Sequence, residues 1–96
     1  MNVTSQSPPV LFIVFNRPEV TAEVFERIRA ARPSRLYVAA DGARVGRGED
    51  ALCESTRAVA TAVDWPCQVS TLFHGRNLGC RRGVTAALDW FFAAEE

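Results

Sequence analysis

Polar and charged residues stand directly after three apolar segments of the chain. The three polar sequences are NRPE at residues 16–19, DGARVG at 41–46 and HGRNLG at 74–79. Arginine carries a planar fork of N–H donors that grips phosphate or carboxylate through paired hydrogen bonds. Aspartate and asparagine are strong hydrogen-bonding partners, and glycine lets a ligand approach the backbone closely. The pattern predicts a site for an anionic ligand, although each sequence alone is also typical of an ordinary turn or helix start.

The apolar segments before these loops have the character of β-strands, and the segments after them have helical periodicity. Val, Ile and Phe dominate the first apolar run, which predicts a central strand covered on both faces. Pro18 suits the first position of the helix that follows. The predicted strands span residues 10–15, 36–41 and 68–73, and the predicted helices span residues 18–31, 49–63 and 82–94.

This alternation predicts an α/β fold of three layers, with the order βαβαβα and a parallel sheet between helices. Ligands of such sheets bind beyond the carboxyl ends of the strands, which is where the three polar loops fall. Three strands make a thin sheet, so we expect an N-terminal segment truncated before a fourth strand, or a domain completed by association. A self-sufficient module of 96 residues is the alternative. Residues 1–9 are predicted to be a flexible lead-in and residues 10–96 the partial domain.

The composition excludes several classes of partner and location. The chain has 11 basic and 11 acidic residues, and every basic residue is an arginine. A net charge of zero argues against broad attraction to nucleic acid or to an anionic membrane. The first residues are polar, so no signal peptide is expected, and no apolar run is long enough to span a bilayer. Three widely spaced cysteines and a single histidine disfavour a zinc site and indicate free thiols in a reducing cytoplasm.

Two common phosphate-binding motifs are absent after the first strand. That turn contains neither GxGxxG nor GxxxxGK[ST]. The quoted segments PVLFIVFNRPE, LYVAADGAR and RNLGCRRGVTAALDWFF instead resemble the N-terminal half of a GT-A-fold nucleotide-sugar glycosyltransferase. The resemblance is closest to family-two-like bacterial enzymes and to the animal N-acetylglucosaminyltransferase type. It covers nearly the whole chain from Pro9 onward and implies a Rossmann-like, nucleotide-binding half-domain.

The resemblance also implies a set of site residues. The loop after the first strand would lie against the nucleotide, and the acid after the second strand would bind the uracil ring, with the following glycine allowing close approach. The loop before the third helix would shape the pocket floor, and an arginine early in that helix would flank the base or phosphate. The positions in this chain that match are Phe15, Asn16, Arg17, Asp41, Gly42, Arg76, Asn77, Arg81 and Arg82.

The family's metal-binding acidic motif follows the fourth strand and would lie past Glu96. The resemblance therefore implies a divalent metal, Mn²⁺ or Mg²⁺, for a full-length enzyme, but no metal ligand and no catalytic residue in this chain. Glu95 and Glu96 stand at a predicted helix end and are not expected to be that motif. We expect binding of a nucleotide sugar, most simply a UDP-sugar, without transfer by these 96 residues alone.

A second interpretation stays open: a small α/β module that binds a nucleotide or a protein without catalysis. Under either interpretation the chain is expected to act in the cytoplasm, or at the cytoplasmic face of a membrane in a longer protein. Neither a nucleic-acid partner nor a membrane segment is expected. Unpaired sheet edges and uncovered helix faces predict self-association.

Overall fold

The computed structural model describes residues 7–96, so most of the predicted lead-in lies outside the described residues. The six predicted elements are confirmed in type and order. They are β1 (Val10–Val14), α1 (Pro18–Ala31), β2 (Arg35–Ala40), α2 (Asp50–Ala60), β3 (Gln68–Phe73) and α3 (Cys80–Ala94). The largest differences in boundaries are at α2, which ends at Ala60 rather than at residue 63, and at α3, which begins at Cys80 rather than at Arg82.

The sheet is parallel and has the order β1-β2-β3. Val10 lies opposite Leu36 in the first pair, and Arg35 lies opposite Gln68 in the second. The prediction that β1 is central is wrong for residues 7–96, where β2 is the central strand and β1 an edge strand. The apolar residues of β1 predict that its side chains are buried, but they do not predict how many strands pair with it. Ile13, whose side chain lies on the opposite face from the buried Phe12 and Val14, is 41% exposed.

One face of the sheet is covered by α1 and α2. Alternate side chains of β1 and β2 point to this face and form the main core with residues of both helices. This core consists of Phe12, Val14, Leu36, Val38, Ala40, Phe25, Ala60 and Trp65. The rings of Phe25 and Trp65 are 5.8 Å apart, and the indole N–H of Trp65 donates to the backbone oxygen of Pro33 at 2.8 Å. The buried indole is therefore satisfied as well as packed.

The opposite face is covered by α3. The ring of Tyr37 meets Trp90 and Phe91 edge-on, at centroid distances of 5.3 and 5.0 Å. Glu95, at the end of α3, accepts hydrogen bonds from the hydroxyl of Tyr37 and, at 2.9 Å, from Nε of Arg35. The Tyr37 bond, followed by the Arg35 contacts, lowers the pKa of Glu95. These contacts complete the predicted three-layer α/β arrangement and fasten the end of α3 to β2.

The three cysteines are unpaired thiols. None of the helices described has the length and apolar character needed to cross a bilayer.

Candidate functional site

The carboxylate of Asp41 joins two of the three polar loops. Its Oδ1 accepts hydrogen bonds from the backbone N–H groups of Gly42 and Leu78, both at 2.8 Å. Its Oδ2 accepts from the backbone N–H of Gly79 at 3.0 Å and from Nδ2 of Asn77 at 3.1 Å. Four donors fill the positions that an ionised carboxylate offers. Asp41 thus organises the loop before α3. Its hydrogen bond to a uracil ring stays a prediction, and a ligand would have to displace one of these four donors to form it.

Glycine is required where the same two loops touch. A Cβ atom added to the buried Gly42 would lie 2.5 Å from the carbonyl carbon of Arg76. The amide of Asn77 closes the contact by donating to the backbone oxygen of Gly42 at 2.9 Å. Gly79, which precedes α3, has a φ of 91°, a conformation that other residues rarely adopt. The glycines at 42 and 79 therefore serve the backbone path of the loops.

Arg57 ties the ends of β2 and β3 together from α2. Its Nη2 donates to the backbone oxygens of Asp41 at 3.1 Å and His74 at 2.9 Å. The guanidinium carbon also lies 4.7 Å from the centroid of the Phe73 ring. This role was not predictable from the sequence, because Arg57 stands in the middle of a helix and its partners are backbone atoms of distant loops.

The buried carboxylate of Glu49 connects the loop between β2 and α2, residues 41–49, to the residue after β1. Glu49 accepts hydrogen bonds from the backbone N–H of Arg44 at 2.9 Å, from its Nε at 3.0 Å and from its Nη2 at 2.7 Å. Asn16 adds a fourth bond, from Nδ2 at 2.9 Å. The Arg44 side-chain and backbone bonds, with a smaller contribution from Asn16, lower the pKa of Glu49 to about 2 against the opposing effect of burial. The same bond to Glu49 raises the pKa of Arg44.

A cavity of about 380 Å³ lies between the ends of β1 and β2 and the start of α3. Three of the predicted site residues line it: Phe15, Asp41 and Asn77. Its apolar wall includes Ile13, Ala39 and Val84. Polar and small residues that were not among the predicted site residues complete the lining, among them Arg44, His74 and Gly83. The arrangement offers an apolar surface, an aromatic ring, an amide and a cation around one space.

The remaining predicted residues do not line this cavity. Asn16 is bound to Glu49, and Gly42 is buried where two loops touch. The four arginines selected from the sequence are exposed, namely Arg17, Arg76, Arg81 and Arg82. Their contacts with a ligand stay predictions. The arginine of residues 7–96 that lines the cavity is Arg44, the last residue of the quoted segment LYVAADGAR, and it was not among the predicted site residues.

These observations define the chain as a small α/β domain with a three-stranded parallel sheet and a Rossmann-like order of elements. Within residues 7–96, no group of three or more His, Cys, Asp or Glu side chains is arranged to hold a metal ion. Comparison with protein-family models, with curated proteins and with solved structures finds no match to this chain.

Proposed function

We propose that the chain is the nucleotide-binding part of a glycosyltransferase that takes its sugar from a nucleotide sugar, with a UDP-sugar as donor. The observation that carries this proposal is the cavity of about 380 Å³ at the carboxyl ends of β1 and β2. Parallel α/β sheets bind their ligands at this position. The three segments that resemble the glycosyltransferase family supply residues to the same cavity.

The lining suits the two chemical parts of a nucleotide. Phe15 offers a ring against which a base can stack, and the apolar wall of Ile13, Ala39 and Val84 can exclude water from it. The start of α3 also borders the cavity through Gly79 and Cys80. The Asp41 carboxylate already accepts from the N–H of Gly79. The N–H groups at and after Cys80 would therefore be the ones that attract a phosphate, as the first N–H groups of a helix attract anions. The volume falls within the usual range of small-molecule sites, about 300–1,000 Å³.

The proposed roles of the other residues follow from their positions. Asp41 would act on the ligand mainly through the loop that it organises, with a direct contact only if one of its present donors is displaced. Asn77 would contact the ligand from the cavity wall. The exposed arginines at 17, 76, 81 and 82 would draw the anionic ligand toward the site from its surroundings.

The resemblance also implies a divalent metal, Mn²⁺ or Mg²⁺, and residues 7–96 do not fit such a site. They contain no suitable cluster of three ligating side chains. The carboxylate of Glu95, one of the two acids at the end of the chain nearest the implied position, is bound to Tyr37 and Arg35. No step of sugar transfer is therefore assigned to a metal held by these residues.

A titration of UDP, UMP and uridine into the chain tests the proposal by calorimetry. The most informative variant is Gly83→Leu, because Gly83 lines the cavity and an added Cβ would lie 3.6 Å from Oδ2 of Asp41, an ordinary contact. The longer side chain should occupy the space and abolish measurable UDP binding. Leucine is also a much better helix former than glycine, so the variant should stay folded.

Ala93→Leu is the matched control, since it adds a leucine at an exposed position near the other end of α3. This control should bind UDP like the unaltered chain. The proposal fails if the unaltered chain binds neither UDP nor uridine, or if Gly83→Leu binds UDP with unchanged affinity.

A second candidate function, a protein-binding module without catalysis, is favoured by one observation. Exposed apolar side chains lie on β1 and on α3, including Ile13 at 41%, Leu88 at 41% and Phe92 at 62%. Within residues 7–96, β1 pairs with β2 alone and so leaves one edge unpaired. Self-association through this edge would appear as a concentration-dependent mass in sedimentation. A monomer at all concentrations, together with UDP binding, would favour the nucleotide-binding proposal.

A further inference from the structure

Arg44 presents a cation to the cavity in front of a buried acid. Its side chain is 43% exposed, whereas that of its partner Glu49 is 6% exposed. Arg44 lines the cavity and Glu49 does not. A ligand that enters the cavity therefore meets the guanidinium of Arg44 rather than the carboxylate of Glu49. The carboxylate of Asp41, which also lines the cavity, already accepts four hydrogen bonds.

In this pair the arginine keeps free hydrogen-bond donors, whereas the acceptor positions of the acid are all used. Glu49 accepts four bonds, three from Arg44 and one from Asn16, which uses the acceptor positions of both oxygens. A guanidinium carries five N–H donors, and Glu49 takes two of them, one on Nε and one on Nη2. Three N–H donors of Arg44 remain, including both on Nη1. These are the donors that a phosphate accepts from in paired fashion.

The guanidinium is also held on its other side. Its central carbon lies 5.6 Å from the centroid of the Phe15 ring, within the range of a cation–π contact. Glu49 and Phe15 together fix the group in one orientation before a ligand arrives. A fixed donor loses little conformational freedom on binding, and this favours affinity.

We propose that Arg44, oriented by Glu49 and Phe15, is the residue that binds the phosphate groups of the ligand, which is a diphosphate. This inference deepens the proposed function and rests on the same cavity. It assigns the anion contact to Arg44 rather than to the four exposed arginines that the sequence suggested. Phe15 then borders both parts of the ligand, since one ring lies beside the cavity and under the cation.

The other arginines with ion-pair partners are engaged elsewhere. Arg29 pairs with Asp64 and Glu26, and Arg35 pairs with Glu95. None of these pairs lines the cavity. Arg44 is the arginine of residues 7–96 that combines a fixed guanidinium with a place in the cavity wall.

The test is a calorimetric titration of pyrophosphate, UDP and uridine into the unaltered chain, Arg44→Ala and Arg47→Ala. Arg47 is the matched control, because it lies in the same loop, carries the same charge and is exposed outside the cavity lining. Arg44→Ala should lower the affinity for pyrophosphate and for UDP by about tenfold or more, the usual effect of losing a hydrogen bond to a charged group. The affinity of Arg44→Ala for uridine should differ from that of the unaltered chain by less than about twofold. Arg47→Ala should leave all three affinities within about twofold.

Arg44→Gln provides a second variant that keeps an N–H donor for Glu49, and urea denaturation establishes that each variant is folded during the titration. The assignment to Arg44 is overturned if Arg44→Ala lowers the affinity for uridine as much as the affinity for UDP. It is overturned as well if Arg44→Ala and Arg47→Ala lower the affinity for pyrophosphate equally. It is also overturned, with the proposed function intact, if uridine and UDP bind but pyrophosphate does not. Binding of pyrophosphate that depends on Arg44, without tighter binding of UDP, would support the anion site and overturn the nucleotide proposal. Absence of all binding would overturn both.

Discussion

Replacing Asp41 with asparagine is expected to destabilise the chain by about 2 kcal/mol, because an amide has one acceptor oxygen where the carboxylate has two. Two of the four present donors would lose their acceptor. If the amide oxygen takes the place of Oδ1, it keeps the N–H groups of Gly42 and Leu78. The amide nitrogen would then face the N–H of Gly79 and Nδ2 of Asn77, which are themselves donors.

The magnitude follows from the number of bonds lost and the exposure of the site. Each net hydrogen bond is worth about 1 kcal/mol, and a donor left unsatisfied costs about 1–3 kcal/mol when fully buried. Asp41 is half-buried, so water can reach part of the site and the lower end of the range applies. For a domain of this size, about 2 kcal/mol corresponds to a fall in Tm of about 8–16 °C.

Urea denaturation followed by circular dichroism measures the loss of stability. Hydrogen exchange locates it, since the amides of Leu78 and Gly79 should lose protection before those of the strands. The matched control is Asp89→Asn on the exposed side of α3, which should change the free energy of unfolding by less than about 0.5 kcal/mol. Equal stability of the Asp41→Asn and Asp89→Asn variants would refute the claim that Asp41 organises the loop.

Three other outcomes are expected. Gly42→Ala should destabilise the chain by more than about 2 kcal/mol in urea denaturation, since its Cβ would meet backbone atoms at 2.5 Å, whereas Gly75→Ala, with open space around it, should have little effect. Because the pKa of Glu49 is lowered from 4.5 to about 2, its ionised contacts favour folding above about pH 4.5 and are lost as the pH falls toward about 2. The free-energy difference between the unaltered chain and Glu49→Gln should therefore shrink over that interval in acid denaturation and stay constant at higher pH. Tyr37 is the single tyrosine, so ultraviolet titration reports it alone: its pKa should lie above 10.0, mainly because of its hydrogen bond to Glu95, and Glu95→Gln should move it back toward that value. A Tyr37 pKa unchanged by Glu95→Gln would contradict that contact.

The order of the six elements was predictable because it depends on local apolar spacing and on prolines and glycines. The end of α2 shows where that signal misleads. Val63 continues the spacing of the helix, but it packs against the core from beyond Ala60, where the helix has already ended. A residue can keep the apolar period without keeping the helical backbone.

The site was only partly predictable, because some of its contacts join residues that are distant in the sequence. Phe15, Asp41 and Asn77 were selected from the sequence through the resemblance, and they line one cavity because the ends of parallel strands meet at one edge of the sheet. Arg44 could not be distinguished from the chain's other arginines by type or spacing. Its selection depends on the burial of Glu49 and on the Phe15 ring, which only the folded arrangement reveals.

The two carboxylates that fasten α3 lie at opposite ends of the helix, and both connect it to β2 or to the residue that follows β2. Asp41, just after β2, binds the backbone leading into the helix, while Glu95 at the far end binds Arg35 and Tyr37 of the strand itself. The helix cannot slide along the sheet without breaking one of these attachments. The width of the cavity between α3 and the sheet is consequently set during folding, and a ligand would enter a preorganised space rather than mould one.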